Sequence, residues 1–133
     1  MSIININPST LYDGSPFGLS QAKVDTTSGL IFVSGQVDWN ANYEILNNDI
    51  EGQTKNAVKN LLTVLDEGGS AVESLLHLRI YVRGELGDHM AKVVPIIAEF
   101  LSISRPAITG IGVASLATPD TLIEIEAVAR ILT

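Results

Sequence analysis

The sequence predicts an α+β domain in which two helices pack on one face of a mostly antiparallel sheet. In several short segments apolar and polar residues alternate, as in strands that bury one face. In two longer segments apolar residues recur every three or four positions, as in amphipathic helices. The segments follow the order β-β-α-β-α-β-β without a linker, a repeat or a low-complexity tract. This order is typical of helices gathered on one side of a sheet.

Length and composition predict one domain over residues 1–133, with 46% apolar residues to build its core. The 15 acidic and 8 basic residues give a net charge of -7, which disfavours nucleic acid and anionic membrane surfaces as partners. The absence of cysteine excludes disulfides, thiolate zinc sites and a cysteine nucleophile. Because the N-terminus lacks a basic region followed by an apolar run, we expect a cytoplasmic protein.

The first two predicted strands are Ser20–Val24 and Leu30–Val37, joined as a hairpin by a polar turn in which Gly29 can adopt a positive φ. The second strand is apolar almost throughout, which indicates a central strand that is covered on both faces or lies at an interface. Ser34 and Gly35 interrupt it. Such a glycine indicates either a simple bulge or a place where a ligand or another backbone approaches closely, and both alternatives remain open.

The first helix is predicted from about Asp49 to Glu67. Asn48 and Glu51 have the spacing of a capping box at its start, and Gly68-Gly69 supplies a left-handed stop at its end. The apolar positions recur at helical spacing. They are Ala57, Val58, Leu61, Leu62 and Leu65.

A strand at Leu76–Val82 and a second helix starting at Gly87-Asp88 are predicted next. Pro95 lies within the helical pattern and is expected to kink the helix or to move its start later, because proline lacks an N–H and clashes with the preceding turn. The apolar side of this helix consists of Met90, Val93, Val94, Ile97 and Leu101.

The last two predicted strands are Ala107–Val113 and Leu122–Leu132. In the final strand one set of alternating residues is clearly core, so the opposite sheet face needs a partner or solvent. Glu124 and Glu126 lie on that opposite face. They are either a carboxylate pair for acid–base chemistry or part of a solvated strand face.

Motif analysis excludes several function classes. The glycine-rich dinucleotide and nucleotide loops, the hydrolase nucleophile elbow and the zinc-protease motif are all absent. His77 and His89 lack the spacing of metal ligands, so no metal site is predicted. Arg105, just before a strand, is either an anion-binding guanidinium or a solvated loop residue.

Several segments together resemble the RidA/YjgF family of imine deaminases, in order and over nearly the whole chain. The resemblance implies a chorismate-mutase-like α+β fold and a homotrimer with small-molecule clefts between subunits. It also implies hydrolysis of an imine or enamine, such as 2-aminoacrylate, by water without a metal or an organic cofactor. The matching segments are Gly18–Ala22, Leu30–Val37, Asp49–Gly69, Arg105–Ala107 and Leu122–Ala129.

The family's functional residues are matched only in part. The glutamate that positions or activates water corresponds to Glu124, whereas the arginine that clamps the substrate carboxylate corresponds to Ile108, and the family's tyrosine corresponds to Leu19. Phe17 and Arg105 lie close enough in sequence to substitute. The resemblance thus implies Glu124 as the catalytic residue and a ligand-binding set of Phe17, Leu19, Ser34, Gly35, Arg105, Ile108 and Thr109.

Isoleucine cannot pair with a carboxylate, and leaving that charge unpaired in a closed site is costly. We therefore predict a branch of the family that lacks the clamping arginine, with weak 2-aminoacrylate deaminase activity and a preference for a less charged or more apolar molecule. The alternative is a non-catalytic module that binds a metabolite or a protein. A nuclease activity ranks third because of the acidic charge.

Overall fold

The computed structural model describes residues 2–132 and consists of six strands and two helices. The helices are α1 (Ile50–Glu67) and α2 (Met90–Leu101). The strands are β1 (Ile3–Ile6), β2 (Ala22–Asp25), β3 (Leu30–Gln36), β4 (Leu75–Arg83), β5 (Ala107–Val113) and β6 (Ile123–Arg130).

All six strands join one sheet in the order β1-β2-β3-β6-β4-β5. Every neighbouring pair is antiparallel except β4 and β5, which are parallel because α2 connects them as a crossover. The predicted α+β class with two helices on a mostly antiparallel sheet is confirmed. Strand β1 is an addition at the sheet edge, where a largely exposed run of four residues gives no alternating pattern to detect.

The core lies between the helices and one face of the sheet. Ile123, Ile125 and Ala129 of β6 are fully buried or nearly so, and they pack with Leu61 and Leu65 of α1. The opposite face, here called the open face, carries the alternate residues of each strand. It includes Phe32, which is 49% exposed, and this strand is therefore not covered on both sides within one protomer.

The helix boundaries differ from the prediction in two details. The cap of α1 is Asp49, whose side chain accepts a hydrogen bond from Gly52 N at 3.2 Å, and not Asn48. Helix α2 begins at Met90 after a single 3-10 turn at Leu86–Asp88, one turn later than Gly87-Asp88, which agrees with the alternative of a later start. Pro95 lies inside α2 on its exposed side, where water can reach the carbonyl left without a donor.

Within residues 2–132, no helix combines the length and the apolar character that a membrane crossing requires. The predicted left-handed glycines are confirmed at Gly29 and Gly69, with φ of 75° and 79°. They end the β2–β3 turn and α1, respectively.

Candidate functional site

A cavity of about 760 Å³ opens beside the irregular part of β3. The ladder between β3 and β6 changes register between Val33 and Gln36, which confirms a bulge at Ser34 and Gly35. The cavity combines aromatic rings, small side chains and one carboxylate. Its lining consists of Tyr12, Phe17, Leu19, Ser34, Gly35, Trp39, Tyr43, Ala117, Thr118 and Glu124.

Glu124 lies directly against Gly35. A Cβ atom at position 35 would overlap the Glu124 carboxyl group and would lie 2.6 Å from its Cγ. The bulge and the glycine therefore make room for the Glu124 side chain of the neighbouring strand. The bulge is confirmed, and the close approach of a ligand or another backbone stays a prediction.

Hydrogen bonds fix the bulge to the surrounding backbone. The Ser34 hydroxyl donates to Ser20 O at 2.7 Å, and the buried Gln36 amide donates to Ser34 O and to Gln21 Oε1, each at 3.0 Å. Gln21 in turn donates to Tyr12 O at 2.9 Å. This chain of bonds couples the position of Gly35 to that of Tyr12 on the cavity wall.

Four aromatic rings form one wall of the cavity. Tyr12 and Trp39 have ring centroids 5.0 Å apart, and Tyr43 lies 5.8 Å from Tyr12, 5.9 Å from Phe17 and 6.4 Å from Trp39. Their interplanar angles range from 50° to 81°, so each pair is tilted or edge-on. Such packing stabilises the group of rings without stacking their faces on each other.

A short turn holds two of these rings in place. Trp39 forms an isolated bridge with Ile45, and the Asn40 side chain accepts from the backbone N–H of Glu44 at 3.0 Å. The Tyr43 hydroxyl donates to Asp13 O at 2.8 Å. Tyr43 has a positive φ of 63°, an uncommon conformation for a bulky residue that these contacts maintain.

The two glutamates of β6 have different surroundings. Burial, and to a smaller extent the charge of Glu126, raise the pKa of Glu124 above its usual value. Glu126 instead accepts a hydrogen bond from the Tyr81 hydroxyl and lies 3.8 Å from Arg79 Nη1. Glu124 is therefore a partly buried carboxyl group that holds its proton more tightly than a free glutamate does.

The cavity brings together five of the eight residues that the sequence singled out: Phe17, Leu19, Ser34, Gly35 and Glu124. The other three lie elsewhere in the protomer. Ile108 pairs with Leu78 in the parallel ladder and faces the helix side, where it lines a separate apolar cleft of about 390 Å³ together with Arg105. Thr109 faces the open side, and its hydroxyl is 3.3 Å from His77 Nε2.

Sequence reasoning missed half of the cavity lining. Tyr12, Trp39 and Tyr43 belong to irregular segments, where no periodic pattern marks them. Their signal was the distribution of aromatic residues, since five of the seven in the chain lie between residues 12 and 43. The other missed residues are Ala117 and Thr118.

Across residues 2–132, no group of three or more histidine, aspartate or glutamate side chains is arranged to hold a metal ion. The cavity lining itself contains Glu124 as its single ionisable carboxylate and no lysine, arginine or histidine. An adjoining cavity, which shares Leu19 and Ser34 with this one, has Lys23 in its lining. The site thus has the character of an apolar, aromatic pocket with one acid–base group.

An open sheet face, a bulged strand and a carboxylate among aromatic rings define a small α+β protein with a ligand-sized cavity. The family model described as Endoribonuclease L-PSP matches residues 17–131, and the chain belongs to this family, which includes the RutC and RidA proteins. The resemblance drawn from the sequence is thereby confirmed at the level of the family.

Individual relatives support this membership. A RutC family protein of Pyrococcus abyssi is 34% identical over 100 residues, which are 74% of this chain and 76% of the relative. The mitochondrial protein mmf2 of Schizosaccharomyces pombe is 32% identical over 134 residues, covering 97% of this chain and 98% of its own. Among solved structures, YyfB of Yersinia pestis, a Rid family protein of unknown function, is 36% identical with a TM-score of 0.72, covering 98% of this chain and 100% of that one.

Proposed function

We propose that this protein binds a small metabolite and hydrolyses an imine- or enamine-like compound without a cofactor, with Glu124 as the acid–base residue. One observation carries the proposal: the Glu124 carboxyl group is seated against Gly35 in a cavity of ligand size, and burial raises its pKa. A carboxyl group with a raised pKa can both accept and return a proton during a reaction near neutral pH.

The proposed reaction needs no net oxidation or reduction. Ionised Glu124 accepts a proton from water while the water oxygen bonds to the imine carbon, and the carbon–nitrogen double bond becomes single. Protonated Glu124 then returns this proton to nitrogen, which gives a carbinolamine. Glu124 next accepts the hydroxyl proton of the carbinolamine and delivers it to nitrogen, the carbon–nitrogen bond breaks, and ammonia leaves as the carbonyl forms. One water is consumed and one ammonia is released, and Glu124 ends in its starting form.

The preferred substrate has no carboxylate that requires a cation. Ile108 stands where the resemblance places the clamping arginine, and the Glu124 cavity has no basic residue in its lining. A substrate carboxylate there would lie near Glu124 without a partner, which is unfavourable in a partly desolvated site. We therefore expect weak activity on 2-aminoacrylate.

A homotrimer with clefts between subunits is part of this proposal. Arg105, Ile108 and Thr109 lie away from Glu124 within one protomer, so the complete predicted set of residues can meet only if a second copy contributes some of them. The exposed Phe32 on the open face supports such an association, because a large apolar side chain gains from burial at an interface.

The proposed location is the cytoplasm, and the proposed partners are a small molecule and further copies of this chain. The net charge of -7 argues against the ribonuclease activity named in the family description, since phosphate binding relies on clustered basic residues. The relative mmf2 is named as a mitochondrial protein, and that name applies to mmf2 alone.

Ammonia release from two freshly generated substrates tests the proposal. A dehydratase supplies 2-aminoacrylate, and an amine oxidase supplies the imine of a small alkylamine. We expect the protein to accelerate ammonia release from the carboxylate-free imine and to leave pyruvate formation from 2-aminoacrylate almost unchanged. Glu124→Gln should abolish the acceleration, and Glu126→Gln, which does not line the cavity, should retain it.

Acceleration of 2-aminoacrylate hydrolysis equal to that by an arginine-bearing relative would contradict the predicted preference. Introducing Ile108→Arg should raise the activity on 2-aminoacrylate only if a second copy brings position 108 to the cavity, because the two are separate within a protomer. Ligand binding without acceleration of any imine would overturn the hydrolase and favour the non-catalytic module.

A further inference from the structure

Aromatic residues are scarce in this chain, yet they are concentrated at the cavity. Four of the seven, Tyr12, Phe17, Trp39 and Tyr43, line it. Two of them are held at their polar ends: Trp39 Nε1 donates to Thr121 Oγ1 at 3.4 Å, and the Tyr43 hydroxyl donates to Asp13 O. Rings held in this way need little reordering when a ligand enters.

The faces of aromatic rings carry negative charge, which attracts an organic cation. Here the rings meet tilted or edge-on, so that no two of them are stacked face to face. Glu124 adds a carboxylate to the same cavity, whose lining holds no basic residue, and burial together with the charge of Glu126 makes its ionised form unfavourable. A cation in the cavity would supply both the missing partner for Glu124 and a charge for the ring faces.

We propose that the Glu124 cavity binds a small organic cation, an iminium or alkylated ammonium group without a carboxylate, over the ring faces of Trp39 and Tyr43. The inference names the substrate class of the same site and rests on the proposed function for its chemistry. A protonated imine is a cation of this kind, and protonation makes its carbon more susceptible to attack by water. Binding and turnover can be measured separately.

The cavity should discriminate by charge more than by shape. An anion of the same size is repelled by the ring faces and by Glu124. A neutral molecule fills the same volume but gains only the burial of its apolar surface. Three compounds of nearly equal shape separate these cases: choline as the cation, 3,3-dimethylbutan-1-ol as the neutral isostere, and 3,3-dimethylbutanoate as the anion.

The experiment is a titration of the intact protein with each compound at pH 8. Binding is monitored by isothermal calorimetry and by the fluorescence of Trp39, the single tryptophan of the chain. We expect choline to bind about tenfold more tightly than the neutral isostere, since desolvated cation–π contacts and a carboxylate both act on it. We expect no measurable binding of the anion. Choline should change the emission of Trp39.

Variants locate the binding site. Tyr43→Leu keeps an apolar side chain but removes a ring, and it should weaken choline binding about fivefold with little effect on the neutral isostere. Glu124→Gln should weaken choline binding to a similar or larger extent. The controls are Phe32→Leu, which removes an aromatic ring outside this cavity, and Glu126→Gln, the neighbouring carboxylate on β6. Both should bind choline as the parent chain does.

The outcomes distinguish this inference from the proposed function. Equal affinity for choline and the neutral isostere, or unchanged choline binding in both Tyr43→Leu and Glu124→Gln, overturns the cation site. If neutral imines are hydrolysed at Glu124 while choline does not bind, the hydrolase stands and the cation site is wrong. If choline binds as described but no imine is hydrolysed, the cation site stands and the hydrolase is wrong.

Discussion

Glu124 and Glu126 are the same residue type on the same face of one strand, and their neighbours give them different surroundings. Glu126 is engaged by Tyr81 and lies near Arg79, and that hydrogen bond raises the pKa of the Tyr81 hydroxyl. Glu124 is buried against Gly35 and raises the pKa of Tyr12, whose own burial has the larger effect. Spacing in the sequence identifies both carboxylates, but only packing tells which one lies against Gly35 in the cavity.

The raised pKa of Glu124 predicts a pH dependence of folding stability. This carboxyl group holds its proton more tightly in the folded than in the unfolded chain. It therefore stabilises the fold at pH values below 4.5, the usual pKa of glutamate. That contribution is lost as the pH rises through the folded-state pKa. Glu124→Gln should therefore gain stability relative to the parent chain between pH 4 and pH 7, as measured by urea unfolding at successive pH values.

Glu99→Gln, on the exposed side of α2, serves as the control and should show no such trend relative to the parent chain. A stability difference between Glu124→Gln and the parent chain that stays constant over this pH range would mean that burial does not disfavour the ionised carboxylate.

Gly35→Ala tests whether the bulge exists to seat Glu124. The added Cβ would overlap the Glu124 carboxyl group, whose end can move aside, so stability should change by no more than about 1 kcal/mol. Imine hydrolysis should nevertheless fall as far as in Glu124→Gln, because the added methyl group displaces the Glu124 carboxyl group from its position in the cavity. Thermal unfolding and ammonia release measure the two effects.

Gly110→Ala is the matched control, since its Cβ would lie 3.2 Å from Leu86 Cδ2 and neither residue lines this cavity. It should retain activity. Full activity in Gly35→Ala would show that the position of Glu124 does not matter for the reaction.

At the level of the elements, the start of α1 gives a direct test of a local assignment. Asp49 accepts from Gly52 N and caps the helix, whereas Asn48, one residue earlier, is exposed. Asp49→Ala should lower the free energy of unfolding by about 1 kcal/mol, as the loss of an N-cap typically does. Asn48→Ala should have almost no effect. If chemical denaturation showed a larger loss of stability for Asn48→Ala than for Asp49→Ala, Asn48 would be the cap, as its spacing from Glu51 predicts.

The elements that bury an apolar face were predictable from sequence, because burial imposes a period on the residues. Strands β4 and β6 and both helices follow such periods, and Glu124 lies on one of them. Gly35 was found because it interrupts the apolar run of β3. Trp39 and Tyr43 were not, since their turn depends on individual hydrogen bonds that leave no period. The side of the sheet on which Ile108 lies depends on the parallel register of β5 with β4. That register is set by pairing between segments distant in sequence, which the sequence pattern does not show.

At the level of the whole molecule, the helices cover one face of the sheet and leave the other to Phe32 and to the polar residues of β4 and β6. An exposed apolar side chain at the centre of a sheet is typical of an interface between copies. The proposed trimer requires a second copy to bring the edge strand β5, with Ile108, to the cavity, because Ile108 does not line it within one protomer. The oligomeric state therefore decides whether the cavity described here is the complete site.

Phe32→Glu tests this association. Placing a charge at the centre of the open face should break the trimer, because a buried unpaired carboxylate is strongly unfavourable, while the exposed position lets the protomer stay folded. Light scattering at micromolar concentration should give about three times the 14.2 kDa chain mass for the parent protein and a single chain mass for Phe32→Glu. Leu62→Glu, at an exposed leucine of α1 on the helix side, should remain trimeric. A monomeric parent protein would contradict the shared cleft, and any activity it retained would then belong to the Glu124 cavity of one protomer alone.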